Sequence, residues 1–237
     1  MKNKIIVVLI SCLFISCAKK EIKIPIIAAS GIQEVLDHSQ VWIFLENNEG
    51  EITADVNRKN TISSTNWIYN IDRNLPLHTF VNTLTTLQEK HSGSMHSKKG
   101  THDYFSYSDS ESQKLSFITF NEVTYKTDSL LSKYYIKENR DNYLNYNNIN
   151  LTFNPNNSWI NDGKFEKEDF KSLLLEYIDF SAEGSQTMLH INYNDRLLYQ
   201  DYLYYKTMFQ NIQTEAILIN PIEFVFNQEK VPDCGCE

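Results

Sequence analysis

The chain has 237 residues, 41% of them apolar and 13% aromatic, with only 7 Gly and 5 Pro, a composition that supports a packed core and excludes a disordered or collagen-like chain. Its net charge is −8, from 30 acidic against 22 basic residues, so neither nucleic acid nor an anionic lipid surface is a natural partner. The length suits one large domain or two small ones.

The chain opens on Lys2 and Lys4, an apolar run over 5–15, then Ser16 and Cys17. The run has the length of a signal-peptide hydrophobic region and falls short of the ~20 residues of a transmembrane helix. Phe14-Ile15-Ser16-Cys17 resembles the lipobox of bacterial lipoproteins. That resemblance implies that residues 1–16 are a cleaved signal peptide and that the Cys17 thiol is acylated and becomes the first residue of the mature chain. Cleavage removes two lysines and no acidic residue, taking the net charge to −8 − 2 = −10. Several acyl chains make such anchoring stable. Ala18 beside the cysteine gives no inner-membrane retention cue, so the expected location is the periplasm-facing envelope, at the outer rather than the inner membrane.

Residues 17–29 read as a tether. Ser30 with Gln33 three residues on is a capping-box pattern, which predicts a short helix over 31–38. The apolar run at 41–45, before Asn47-Asn48-Glu49-Gly50, predicts a strand and hairpin with its return strand at 51–56. Trp67, Tyr69 and Ile71 alternate with Asn66 and Asn70, a strand pattern over 65–71. Pro76 sits where a helix start tolerates proline, and Leu77, Phe80, Val81, Leu84, Leu87 and Gln88 follow at helical spacing. Residues 91–103 read as a long loop, and strand character resumes at 104–107 and 115–125. After a polar, asparagine-rich stretch with one short helix at 130–136, strands are expected at 149–153 and 159–160. A helix over 166–178 carries Phe170, Leu173, Leu174, Tyr177 and Ile178 on one stripe. A strand at 187–193, a helix at 198–212 and strands at 216–219 and 222–226 complete the chain.

The fold class is therefore α+β. Two small sheet-plus-helix modules, residues 30–128 and 147–228, follow the signal peptide and tether, with a linker at 129–146 and a tail at 229–237. The halves echo each other: a shift of 122 residues lays Trp67-Tyr69-Ile71 on Leu189-Ile191-Tyr193, Leu75 on Leu197, Phe80 on Tyr202 and Gln88 on Gln210. Such an echo also arises whenever two strand-turn-helix segments share one hydrophobic period, so a diverged repeat is one of two readings.

From residue 149 the order strand, strand, helix, strand, helix, strand resembles the periplasmic domain of the ExbD and TolR family. The segments that carry the likeness are 159–165, the helix after it, and Leu189-His190-Ile191-Asn192-Tyr193-Asn194 leading into Leu198-Tyr199. The resemblance implies a protein-binding or peptidoglycan-contacting module. The family's transmembrane helix, with its proton-handling aspartate, is replaced here by the signal segment, so that role is not carried over.

No serine-hydrolase, zinc-protease, phosphate-loop or dinucleotide motif is present, and no cofactor is expected. His91, His96 and His102, with Asp103, form the most metal-like cluster, yet Lys98 and Lys99 in the same loop oppose a cation; exposed loop histidines are the plainer reading. Asp72-Arg73 and Asp195-Arg196 each follow the best strand of their half, where open α/β sheets place ligands, and are candidate binding residues or else helix-start turns with surface ion pairs. Cys234 and Cys236 are a candidate disulfide, an interchain link or a soft-metal pair. The expected function is a non-catalytic interaction or scaffold subunit with an envelope protein partner. The alternatives are a peptidoglycan-binding module and a metal-dependent envelope hydrolase using the 91–103 loop.

Overall fold

The computed structural model describes residues 20–94, 98–128 and 130–231. They form four α-helices and two six-stranded mixed sheets, the expected pair of sheet-plus-helix modules. The first sheet holds β1 (Ile26–Ile27), β2 (His38–Asn48), β3 (Glu51–Asn57), β4 (Asn66–Ile71), β5 (Asp103–Asp109) and β6 (Lys114–Thr119), ordered β1-β5-β4-β2-β3 with β6 antiparallel to β5. Helix α1 (Val81–Ser92) connects β4 to β5. The second sheet holds β7 (Thr124–Lys126), β8 (Asn147–Asn154), β9 (Asn157–Ile160), β10 (Gly163–Phe165), β11 (Thr187–Asn194) and β12 (Ile217–Phe226), ordered β10-β9-β8-β11-β12-β7. Helix α2 (Ser132–Glu138) follows β7, α3 (Phe170–Ala182) lies between β10 and β11, and α4 (Tyr199–Ile212) connects β11 to β12.

Both modules use one plan. An antiparallel hairpin (β2-β3, β8-β9) is followed by two strands parallel to its first strand (β4 and β5, β11 and β12), with a crossover helix between them. The parallel strands are buried on both faces, which is why β4 and β11 have almost no exposed residue. The first hairpin turns at Glu49 and Gly50, both at positive φ (55° and 95°), the geometry that matches strand twist.

The modules meet across a pseudo-twofold axis, and the 122-residue echo is its sequence trace. Leu77 N–H donates to the Leu197 carbonyl (3.0 Å) and Tyr199 N–H to the Leu75 carbonyl (2.8 Å). His78 N–H donates to the Asp195 carbonyl (2.8 Å) and Gln200 N–H to the Arg73 carbonyl (3.0 Å). Within each pair, donors and acceptors both differ by 122 positions, as a self-complementary interface requires. The local turns match too: Asp72 Oδ1 accepts from Asn74 N–H (3.0 Å), and Asn194 Oδ1 from Arg196 N–H (2.9 Å). Phe80 meets Tyr199 edge-on at 5.6 Å, and Phe105 contacts both Tyr199 and Tyr202, so one apolar core runs through both modules.

Several expectations are corrected. No helix forms over 31–38: Ile32 pairs with Phe117 through two backbone hydrogen bonds, and a Cβ on Gly31 would lie 2.3 Å from the Tyr107 hydroxyl. Close packing on β6 therefore overrides the capping signal. Much of the expected tether belongs to the fold. Lys23 N–H donates to Asp72 Oδ2, Arg73 N–H donates to the Lys23 carbonyl, and the Ile26 backbone exchanges two hydrogen bonds with the Gln200 side chain. Residues 124–126, expected in the first module, pair with β12 of the second sheet, whereas the short helix expected at 130–136 is present as α2. Helix α3 starts at Phe170 rather than 166, because 163–165 form a third hairpin strand on β9. The two C-terminal strands are one, with a register shift at Asn220-Pro221, where proline has no N–H to give the ladder.

Candidate functional site

A buried polar cluster lies where the modules join. Tyr125 on β7, Tyr202 and Lys206 on α4, and Glu223 on β12 form a hydrogen-bonded chain. The Tyr125 and Tyr202 hydroxyls are 2.8 Å apart, Tyr202 donates to Glu223 Oε2 (2.9 Å), and the Lys206 ammonium donates to Glu223 Oε1 (2.6 Å). Because Tyr202 gives its proton to Glu223, Tyr125 must donate to Tyr202. Burial, and then the Glu223 charge, hold the phenols of Tyr125 and Tyr202 well above their ordinary value. Both members of the ion pair are nearly buried, with side chains 11% and 4% exposed.

The fold does not demand this cluster. The pseudo-twofold and the strand registers place Phe80, Leu84 and Phe105 of the first module where the second has Tyr202, Lys206 and Glu223. The first module fills those positions with three buried apolar side chains. An identical plan is thus built once with hydrocarbon and once with a charged pair, which burial alone would not favour.

Lys206 and Glu223 line a cavity of about 310 Å³. Its apolar walls come from Ile118, Phe120 and Val123 on one side and Ile191, Phe209 and Ile219 on the other; exposed Asn121, Gln210 and Gln213 rim it toward solvent. Sequence reasoning missed this site, although two signals were present. Lys206 interrupts the buried stripe of α4 between Tyr202 and Phe209, and Glu223 is the lone charge in the run Ile222-Glu223-Phe224-Val225-Phe226.

The four candidate binding residues do not converge on a pocket. Asp72 is buried and its carboxylate caps the turn and the Lys23 amide; Asp195 accepts from the Asn227 amide (2.9 Å). Arg196 reaches Glu229 at the surface, while Arg73 contributes its backbone to the intermodule ladder. The symmetry also shifts their correspondence, matching Asp72 to Asn194 and Arg73 to Asp195.

The histidines separate as well. His91 is no loop residue: it ends α1 and is buried, its Nδ1 2.8 Å from Asp103 Oδ1, its Nε2 2.9 Å from the Thr65 carbonyl, and its ring stacked on Trp67 at 4.2 Å. Both nitrogens face acceptors, so neither lone pair is presented to a metal. His102 is exposed at the cavity rim. No metal-ligand group of three His, Cys, Asp or Glu occurs among the described residues. His96, Cys17, Cys234 and Cys236 lie outside the described residues.

His190, not singled out by its sequence context, is fully buried in β11 between two asparagines. Asn148 spends both amide hydrogens on the Tyr143 and Tyr146 carbonyls, so its Oδ1 accepts from His190 Nε2 (2.8 Å); Nδ1 then accepts from the Asn220 amide (3.0 Å). The ring is neutral and protonated on Nε2, and burial pushes its pKa down to about 4. Away from the junction, the outer face of the second sheet forms a polar groove of about 520 Å³. Thr152, Asn154, Asn157, Trp159, Asn161 and Asp162 line it. No family model matches this chain, and no curated protein or solved structure shows significant similarity to it.

Proposed function

We propose that the protein is a lipid-anchored, non-catalytic interaction subunit of the bacterial envelope, with Cys17 as its anchor. The observation that carries this reading is the way the chain leaves the lipobox-like segment. Among the described residues, Lys20 already pairs with Glu46 and Asp55, the Lys23 backbone donates to Asp72, and Gln200 of the other module grips Ile26. Three residue steps from Cys17 to Lys20 span at most about 11 Å, so an acyl anchor there would hold both modules against the bilayer as one body. No helix among the described residues is long and apolar enough to cross a membrane. The buried histidine-aspartate pair, with both ring nitrogens committed, weakens the hydrolase alternative.

A second reading, peptidoglycan contact, draws on the groove over β8 and β9. Planar amides and carboxylates beside an indole ring are the groups that bind hydroxylated sugars. Affinity recovery of the native protein from detergent-solubilised envelope, with Cys17→Ala as the unanchored control, tests the leading reading. A stoichiometric protein partner is expected with the anchored form alone. Recovery of nothing but the protein itself, together with its sedimentation on purified sacculi, would replace that reading with the second.

A further inference from the structure

We infer that the intermodule cavity is a binding site for an uncharged, largely apolar small molecule carrying one hydrogen-bond acceptor, such as an amide or ketone carbonyl. Size sets the first limit. At about 310 Å³ the cavity is roughly twice the ~150 Å³ that accommodates benzene, and it falls within the range of small-ligand pockets. It therefore has room for one ring with a short polar arm.

Charge sets the second limit. The buried lining pair is neutral as a unit: Lys206 and Glu223 cancel. A ligand carboxylate would bring a second negative charge beside Glu223, and a ligand ammonium a second positive charge beside Lys206, each at low dielectric. Hydrogen bonding sets the third. Each Glu223 oxygen accepts one bond and keeps a second lone pair, while Lys206 has three ammonium hydrogens and gives one of them to Glu223. The two further ammonium hydrogens make Lys206 the charged donor of the buried wall, and a ligand acceptor is the group it takes. The first module supports a binding role by contrast, since its equivalent positions are closed with Phe80, Leu84 and Phe105.

The test uses the full chain and three probes of similar ring size, N-benzylacetamide, phenylacetate and toluene, titrated at pH 7 by ligand-observed NMR. N-benzylacetamide should bind saturably, about tenfold more tightly than either of the others. Lys206→Met should weaken it by about tenfold and abolish the preference for the amide. Val123→Phe, which fills the apolar wall and leaves the ion pair in place, should abolish binding, and it serves as the test if Lys206→Met does not fold. Equal binding of the three probes, absence of saturable binding, or binding unchanged in Val123→Phe would each overturn the assignment. None of these outcomes bears on Cys17 anchoring.

Discussion

Glu223→Ala is expected to destabilise the protein by about 3–5 kcal/mol, the magnitude for removing one partner of a buried ion pair. The substitution leaves the Lys206 ammonium, 11% exposed, without its counter-charge and the Tyr202 hydroxyl without its acceptor. The double variant Lys206→Met/Glu223→Gln removes both charges, keeps an acceptor for Tyr202, and should fall within about 1 kcal/mol of the wild type. The contrast matters more than either value. If the cluster exists for stability, both variants should lose several kcal/mol; if the stability penalty lies in an unpaired charge, only the single variant should. Urea unfolding of the three proteins at pH 7 separates the cases.

Acidification should destabilise the fold through His190 by roughly 3 kcal/mol between pH 6.5 and pH 4. The direction follows from linkage. His190 has its folded pKa lowered from 6.5 to about 4, so between those values the unfolded chain binds the extra proton and the native state does not. Stability from this residue is complete above pH 6.5, declines as pH falls, and changes no further once the folded group also protonates. His190→Gln retains one donor for Asn148 and one acceptor for Asn220 but cannot take the proton. The difference between wild-type and variant unfolding free energies should therefore narrow steadily over that range. Parallel profiles would show that His190 is not the buried neutral group its hydrogen bonds require.

Much of the fold was legible because the buried faces follow simple periods. Trp67, Tyr69 and Ile71 alternate and form β4; Leu84 and Leu87 recur at helical spacing and lie inward on α1; Phe170, Leu174 and Ile178 do the same on α3. Errors arose where tertiary contacts outweigh local preference. Ser30 and Gln33 look like a capping box, but Gln33 donates to Ser116 on β6 instead. Leu198 fits the inward stripe of α4 by spacing, yet it precedes the helix, forms the bridge with Pro76 at the pseudo-twofold and is 38% exposed. The 122-residue echo could not be separated from chance periodicity until the hydrogen bonds between the modules proved reciprocal.

The site was less legible because its parts are far apart in the chain. Tyr125 and Glu223 are adjacent strand partners separated by 98 positions, and the chain alone gives no sign that β7 leaves its own half to pair with β12. The histidines misled for the opposite reason. His91 and His102 are neighbours in sequence, but one ends a helix and turns into the core while the other faces solvent. The plainer expectation of exposed loop histidines holds for His102 and fails for His91.

Mass spectrometry of the amino-terminal peptide, on protein purified from bacterial membranes, tests the proposed function most directly. The account predicts a chain that begins at Cys17 and carries a diacylglyceryl thioether and an acylated amine. A chain that retains residues 1–16, or an unmodified Cys17 in protein recovered from the soluble fraction, would contradict it.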